Sequence, residues 1–241
     1  MRTRLILTAS VLGLAALVSG CATTAATSPT NSPEATTAPS EAPEETTAPA
    51  ADVTAGWVSS GTMIGIVTIG SSTCVPVVDA VLAEGDTLSV TLKDPDASTP
   101  CTRDLQPRIT GVGIPEGIDV TKPVTLGVAY NDNTTTIDLE AAPAPAADPM
   151  EMAPAAGYVG PNTIGLGTYG SSTCVPSVES AEPGDDASNL VVTFATPDAN
   201  QPCTSDLAPR VTTIHADAGV KTLTVVDAGT ETSVNVLAGS F

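Results

Sequence analysis

The sequence predicts an all-β chain built from two tandem small β-sandwich (immunoglobulin-like) modules, each clipped by one disulfide. Three observations predict it. First, Gly-Ser-Ser-Thr-Cys-Val-Pro occurs at Gly70–Pro76 and again at Gly170–Pro176. Each copy is followed by a second matching segment, Pro100–Arg108 and Pro202–Arg210, at registers of 100 and 102 residues. Second, apolar residues in both copies alternate with period two, as in Leu88, Val90 and Leu92 and their counterparts Leu190, Val192 and Phe194. Third, each copy carries two cysteines at matching positions, the usual supplement for a core of some 85 residues.

The N-terminal element is a leader, residues 1–20. Arg2 and Arg4 precede an apolar run from Leu5 to Val18, too short for a comfortable bilayer span and right for an export signal. It ends at Leu17-Val18-Ser19-Gly20-Cys21, which resembles the lipobox of bacterial lipoproteins. That resemblance implies cleavage before Cys21, a lipid on Cys21, and anchoring on the extracytoplasmic face of the cell membrane.

Five cysteines are an odd number, which a secreted chain must explain. With Cys21 lipidated, Cys74, Cys101, Cys174 and Cys203 remain. Of the three possible pairings, the repeat favours Cys74–Cys101 and Cys174–Cys203, each within its own copy. No CxxC or histidine cluster accompanies them, so they are not read as metal ligands. Closing a loop of roughly 27 residues contributes on the order of 3–4 kcal/mol in the chain-entropy model, and an exported location lets such bridges persist.

Residues 21–54 are rich in Thr, Ala, Pro, Ser and Glu, with too few large apolar side chains to offset the entropy of ordering. They read as a disordered stalk. Residues 141–156 repeat that chemistry as an Ala/Pro linker. Module 1 is therefore expected at 55–140 and module 2 at 157–241, each able to fold alone. Two modules on a flexible linker suit avidity. The formal charge of −19 falls to −21 once the two leader arginines are removed. This excludes nucleic acid and docking on anionic lipid, both of which want basic patches.

Within each copy, Ile64–Ile69 and Ile164–Tyr169 read as the first strand, and the following Gly-Ser-Ser as a tight turn. Pro76 and Pro176 open an edge strand or bulge, where a missing donor costs little. The central strands follow, and then turns at Asp96 and Asp198. Leu126, Val128 and Tyr130 form a hairpin with Ile137 and Leu139 across Asn131–Thr134. Leu223 and Val225 do so with Val234 and Val236 across Asp227–Thr230.

Few residues offer chemistry. Asp104 with Arg108, and Asp206 with Arg210, recur in both copies and read as structural ion pairs or turn caps behind the disulfide. The serines of the repeated turns lack a base, since the one histidine, His215, lies in copy two only, and lysine is limited to Lys93, Lys122 and Lys221. Asp94 and Asp96 do not recur as a pair, because Thr196 replaces Asp94; neither they nor Asn131–Asn133 match a calcium loop. Met150 and Met152 read as linker. Aromatic residues are too few for a sugar platform, and Trp57 and Tyr158 read as lids on the two cores. No metal or cofactor is expected.

With Gly70–Cys74 and Cys101–Asp104, and Gly170–Cys174 and Cys203–Asp206, the chain is similar to uncharacterised secreted lipoproteins of high-GC Gram-positive (actinobacterial) bacteria. That resemblance implies a cell-surface lipoprotein and carries no activity. The expectation is a non-catalytic binding or surface-structural role toward an envelope or protein partner. An accessory or inhibitor-like domain acting on an exported enzyme is the alternative, and an enzyme comes third.

Overall fold

The structure, a computed structural model, describes residues 53–144, 152–197 and 200–239. The leader, Cys21, the stalk before residue 53 and linker residues 145–151 lie outside them, as does Asp198. The described residues form strands and connections with no helix.

Module 1 contains β1 (Thr54–Ser59), β2 (Met63–Gly70), β3 (Val77–Glu84), β4 (Thr87–Lys93), β5 (Gln106–Gly113), β6 (Val124–Tyr130) and β7 (Asn133–Leu139). They make a three-stranded sheet in the order β1-β2-β5 and a four-stranded sheet in the order β3-β4-β6-β7. The alternation in β4 and β6 puts Leu88, Val90, Leu126 and Val128 on one face, where they meet Ala55, Trp57, Ile64, Ile66 and Val112 of the other sheet. β4 and β6 run parallel, Leu88 opposite Leu126, because β5 crosses to the other sheet between them. Trp57 closes one end of this core, and its Nε1 donates to the Glu140 carbonyl at 2.9 Å.

Module 2 repeats the plan with β8 (Ala155–Gly160), β9 (Thr163–Gly170), β10 (Val178–Pro183), β11 (Asn189–Phe194), β12 (Ala208–His215), β13 (Thr222–Asp227) and β14 (Thr230–Leu237). Ala155 and Ala156, assigned above to the linker, open β8. Its two sheets are joined by a short parallel ladder, with Val236 opposite Ala156 and Leu237 opposite Gly157. Tyr158 is buried as the counterpart of Trp57; its hydroxyl donates to the Asp217 carbonyl at 2.8 Å and accepts from Val220 N at 3.0 Å. The hairpin turns fall where anticipated, with positive φ at Asn131 and Asp132 and at Ala228 and Gly229.

Two further features differ from the sequence reading. Ile64–Ile69 and Ile164–Tyr169 belong to the second strand of each module, because a short strand of small residues, β1 or β8, precedes each. The modules also share a third apolar layer. Val58, Met63, Val67, Ile109 and Val159 pack together, with Val211 against them. The outward faces of the two three-stranded sheets meet there, so Met63 through Thr68 are buried on both sides. Glycines permit the approach: a β-carbon at Gly56 would fall 2.1 Å from the Tyr158 carbonyl oxygen. Thr54 lies beside Gly160 while Gly56 lies beside Tyr158 and Val159, so β1 and β8 stack antiparallel.

Candidate functional site

Both disulfides form as the repeat predicts, Cys74–Cys101 and Cys174–Cys203, each with Cα atoms 5.5 Å apart. Each ties the turn after β2 or β9 to the loop before β5 or β12. Around each bridge the repeated residues build a clasp. Ser71 Oγ lies 2.9 Å from Thr102 Oγ1, the Thr102 amide donates to Thr73 Oγ1 at 3.0 Å, and the Ser72 amide donates to Asp104 Oδ1 at 3.2 Å. The Thr102 hydroxyl also donates to Asp104. In module 2 the same bonds link Ser171 with Thr204 at 2.9 Å, Thr204 N with Thr173 at 3.1 Å, and Ser172 N with Asp206 at 3.1 Å. Bonds from Ser72 and Thr102 hold the Asp104 carboxyl at about 2, well below its ordinary value. Thr204 and Ser172 do the same for Asp206, also to about 2.

Asp104 and Arg108 do not pair with each other, and neither do Asp206 and Arg210. The ion pairs among the described residues are the exposed Lys93–Asp79, at 2.6 Å, and Lys122–Asp119, at 2.8 Å. Asp104 precedes β5 and caps the serine turn. Arg108 points into the sandwich, where Nη1 donates to the Cys74 carbonyl at 2.5 Å and Nη2 to the Tyr130 hydroxyl at 2.9 Å. Tyr130 passes the contact on to Asp94 at 2.6 Å. Arg210 donates instead to the carbonyls of Cys174 at 2.8 Å and Tyr169 at 3.1 Å.

The glycine that opens each motif has a steric duty. A β-carbon at Gly70 would lie 2.5 Å from Arg108 Cζ, and one at Gly170 would lie 2.7 Å from Arg210 Cζ. Thr110 and Thr212 secure the carbonyls of Pro76, at 2.7 Å, and Pro176, at 3.2 Å. Among the described residues, the buried side-chain polar atoms left without a partner are Thr68 Oγ1, Arg108 Nε and their counterparts Thr168 Oγ1 and Arg210 Nε. Thr68 stands opposite Arg108 in the ladder, as Thr168 does opposite Arg210. Both modules carry the same cost at the same place, as a shared scaffold would.

Nearly every residue common to the two motifs is thus used by the scaffold. The exceptions are aliphatic. Val75 and Val175 are 37% and 51% exposed, and Leu105 and Leu207 are 76% and 60% exposed. They flank the disulfide on segments that the clasp holds rigid. The sequence reading missed them, although an apolar residue kept in both copies between polar turn residues was the available signal. Beside the module 1 clasp, Val67, Ile69 and Pro107 face Gly160, Pro161 and Thr163 across a groove of about 410 Å³ whose lining has no titratable side chain.

His215 ends β12 on the surface, away from the repeated serines on the turn after β9. The Asp94 carboxylate accepts from the Tyr130 hydroxyl, and the Asp96 backbone carbonyl accepts the Thr99 amide at 2.8 Å within its turn. Among the described residues, no group of three His, Cys, Asp or Glu side chains is placed to hold a metal ion. No protein family, curated protein or solved structure matches this chain.

Proposed function

We propose that the chain is an exported lipoprotein, held at the membrane by lipid on Cys21, whose two modules serve a non-catalytic binding role at the cell envelope. The observation that carries this reading is the exposed Val75/Leu105 pair and its repetition as Val175/Leu207 on equivalent rigid clasps. A folding duty accounts for the glycines, hydroxyls, cysteines and arginines of the motif but not for these four side chains. Exposed aliphatic side chains of this kind suit the apolar core of a protein-binding surface. A disulfide-braced loop also loses little entropy when it binds. That same pre-organisation supports the second reading, an inhibitor-like domain presenting Leu105 or Leu207 to an exported enzyme.

The test is crosslinking from the Val75 and Val175 positions in the native envelope, with Leu105→Asp and Leu207→Asp as controls. One partner captured at both positions and lost in both controls supports the reading. Labelling of neither position removes it. In parallel, Cys21→Ser should release the protein from the membrane fraction, and firm attachment of the parent needs at least two acyl chains. Retention of the Cys21→Ser protein, with its leader removed, would refute the lipid anchor.

A further inference from the structure

β3 and β10 hold the same place in the two modules, each at the end of its sheet with a single neighbour, β4 or β11. Their free edges are built differently. Matching positions read Val81-Leu82-Ala83-Glu84 in β3 and Ala181-Glu182-Pro183-Gly184 in β10, with Ala83 opposite Leu88 and Pro183 opposite Leu190. In module 2 the Gly184 amide donates to the Asn189 carbonyl at 2.9 Å, so the residue before it turns its main chain away from β11. Proline stands at that residue, where it removes the outward donor, and β10 ends there. In module 1 the same position is Ala83. The amides and carbonyls of Val81 and Ala83 therefore point away from β4 with their donors intact. The bulge at Val78–Ala80 recurs at Val178–Ser180 and so belongs to the scaffold, and from Ala80 to Glu84 the ladder is regular. Leu82, 66% exposed, replaces the Glu182 of module 2, and Val77, 46% exposed, replaces Ser177. A folded module requires neither these apolar side chains nor the open donors, because module 2 folds to the same plan without them.

We infer that β3 is a strand-accepting edge: an extended segment of another protein, aliphatic and cationic, adds beside it. Hydrogen bonds to the Val81 and Ala83 main chain hold the added strand, and Leu82 meets its side chains. Charge selects the occupant. The titratable residues of β3 and its turn are all acidic, Asp79, Glu84 and Asp86. Lys93 engages Asp79 at 2.6 Å, while neither Glu84 nor Asp86 belongs to an ion pair among the described residues. The whole chain carries −19. A segment bringing Lys or Arg to the Glu84 end is drawn in, and an acidic one is repelled. Module 2 is closed to the same addition by Pro183.

The test titrates the full mature chain, made soluble by Cys21→Ser, with a blocked peptide of alternating Lys and Val. Amide hydrogen exchange should show protection of Val81 and Ala83 when the peptide binds. Ala83→Pro leaves every charge in place and copies a residue that module 2 already folds with; it should weaken binding about tenfold or more. The converse variant, Glu182→Leu with Pro183→Ala, should gain a second peptide site on β10. A blocked peptide of alternating Glu and Val should not bind. The inference fails if Ala83→Pro binds the Lys/Val peptide as the parent does, or if protection falls away from β3. It also fails if the Glu/Val peptide binds equally, or if the free chain already protects these amides by pairing with a second copy. The disulfide map and the near-ultraviolet signal of Trp57 check the fold of Ala83→Pro. Should that variant not fold, the converse one decides: no second site on β10 overturns the inference.

Discussion

The Trp57 carbonyl oxygen occupies the place where a β-carbon of Gly157 would be, 1.9 Å away, so the two modules approach backbone to backbone. No repacking of side chains can relieve that clash. Gly157→Val should therefore open the middle layer, at a cost of at least the roughly 1–3 kcal/mol of ordinary overpacking. Gly85→Ala is the control: Gly85 has φ of +64° and nothing within 4 Å of a new β-carbon, so it carries only the left-handed penalty of about 1–2 kcal/mol. Denaturant unfolding with small-angle scattering separates the two, since only Gly157→Val should expand the particle before either core melts.

A protease site placed within residues 145–151 should be cut without dissociating the protein. The apolar layer of Val58, Met63, Val67, Ile109 and Val159 remains after the chain is nicked. Size-exclusion chromatography under native conditions should give one peak holding both fragments. Two independent peaks would mean the layer is too weak to act without its tether.

Gly70 and Arg108 should be energetically coupled. Gly70→Ala intrudes on the guanidinium, while Arg108→Ala strips the Cys74 carbonyl and the Tyr130 hydroxyl of a donor. With the arginine gone, the three atoms that lie nearest the new methyl group are gone too. The double variant should therefore be more stable than the sum of the single losses predicts, by about 1 kcal/mol or more. Strict additivity in the cycle would contradict the steric role given to Gly70.

Asp104 and Asp206 give the clasps an acid limit. Their folded value of about 2 lies below the unfolded value of roughly 3.9, so the stabilisation they supply is present above about pH 4. It is lost as the pH falls from there toward 2. Asp104→Asn and Asp206→Asn should be less stable than the parent at neutral pH and indistinguishable from it near pH 2. The effect should be small, because both carboxylates face solvent. Thermal melts across that window read it directly.

The sandwich strands were legible because β4, β6, β11 and β13 each bury one face and alternate accordingly. The disulfides were legible because the repeat left one symmetrical pairing. β1 and β8 were not, since Thr-Ala-Gly-Trp and Ala-Ala-Gly-Tyr hold small residues and a glycine, which ordinarily argue against a strand. Those glycines are required by the facing module, information that lies about 100 residues away. The shared layer also erased the alternation in β2, where both faces are buried. Asp104 and Arg108 looked paired at a spacing of four. That spacing spans roughly 13 Å in extended chain, and it places one residue on a turn and the other inside the sandwich.

The antiparallel stacking of β1 on β8 has one more consequence. Each clasp follows the end of β2 or β9, so the module 1 clasp lies near the β8–β9 turn, while the module 2 clasp lies at the opposite end of the stacked strands. The two clasps therefore point along the stacked strands in opposite directions, which a flexible tandem would not enforce. On the proposed binding role, the two clasps address separate partner molecules rather than one flat target. If that role holds, Leu207→Asp should halve the number of partner molecules bound and leave the affinity of the Leu105 clasp unchanged in titration calorimetry.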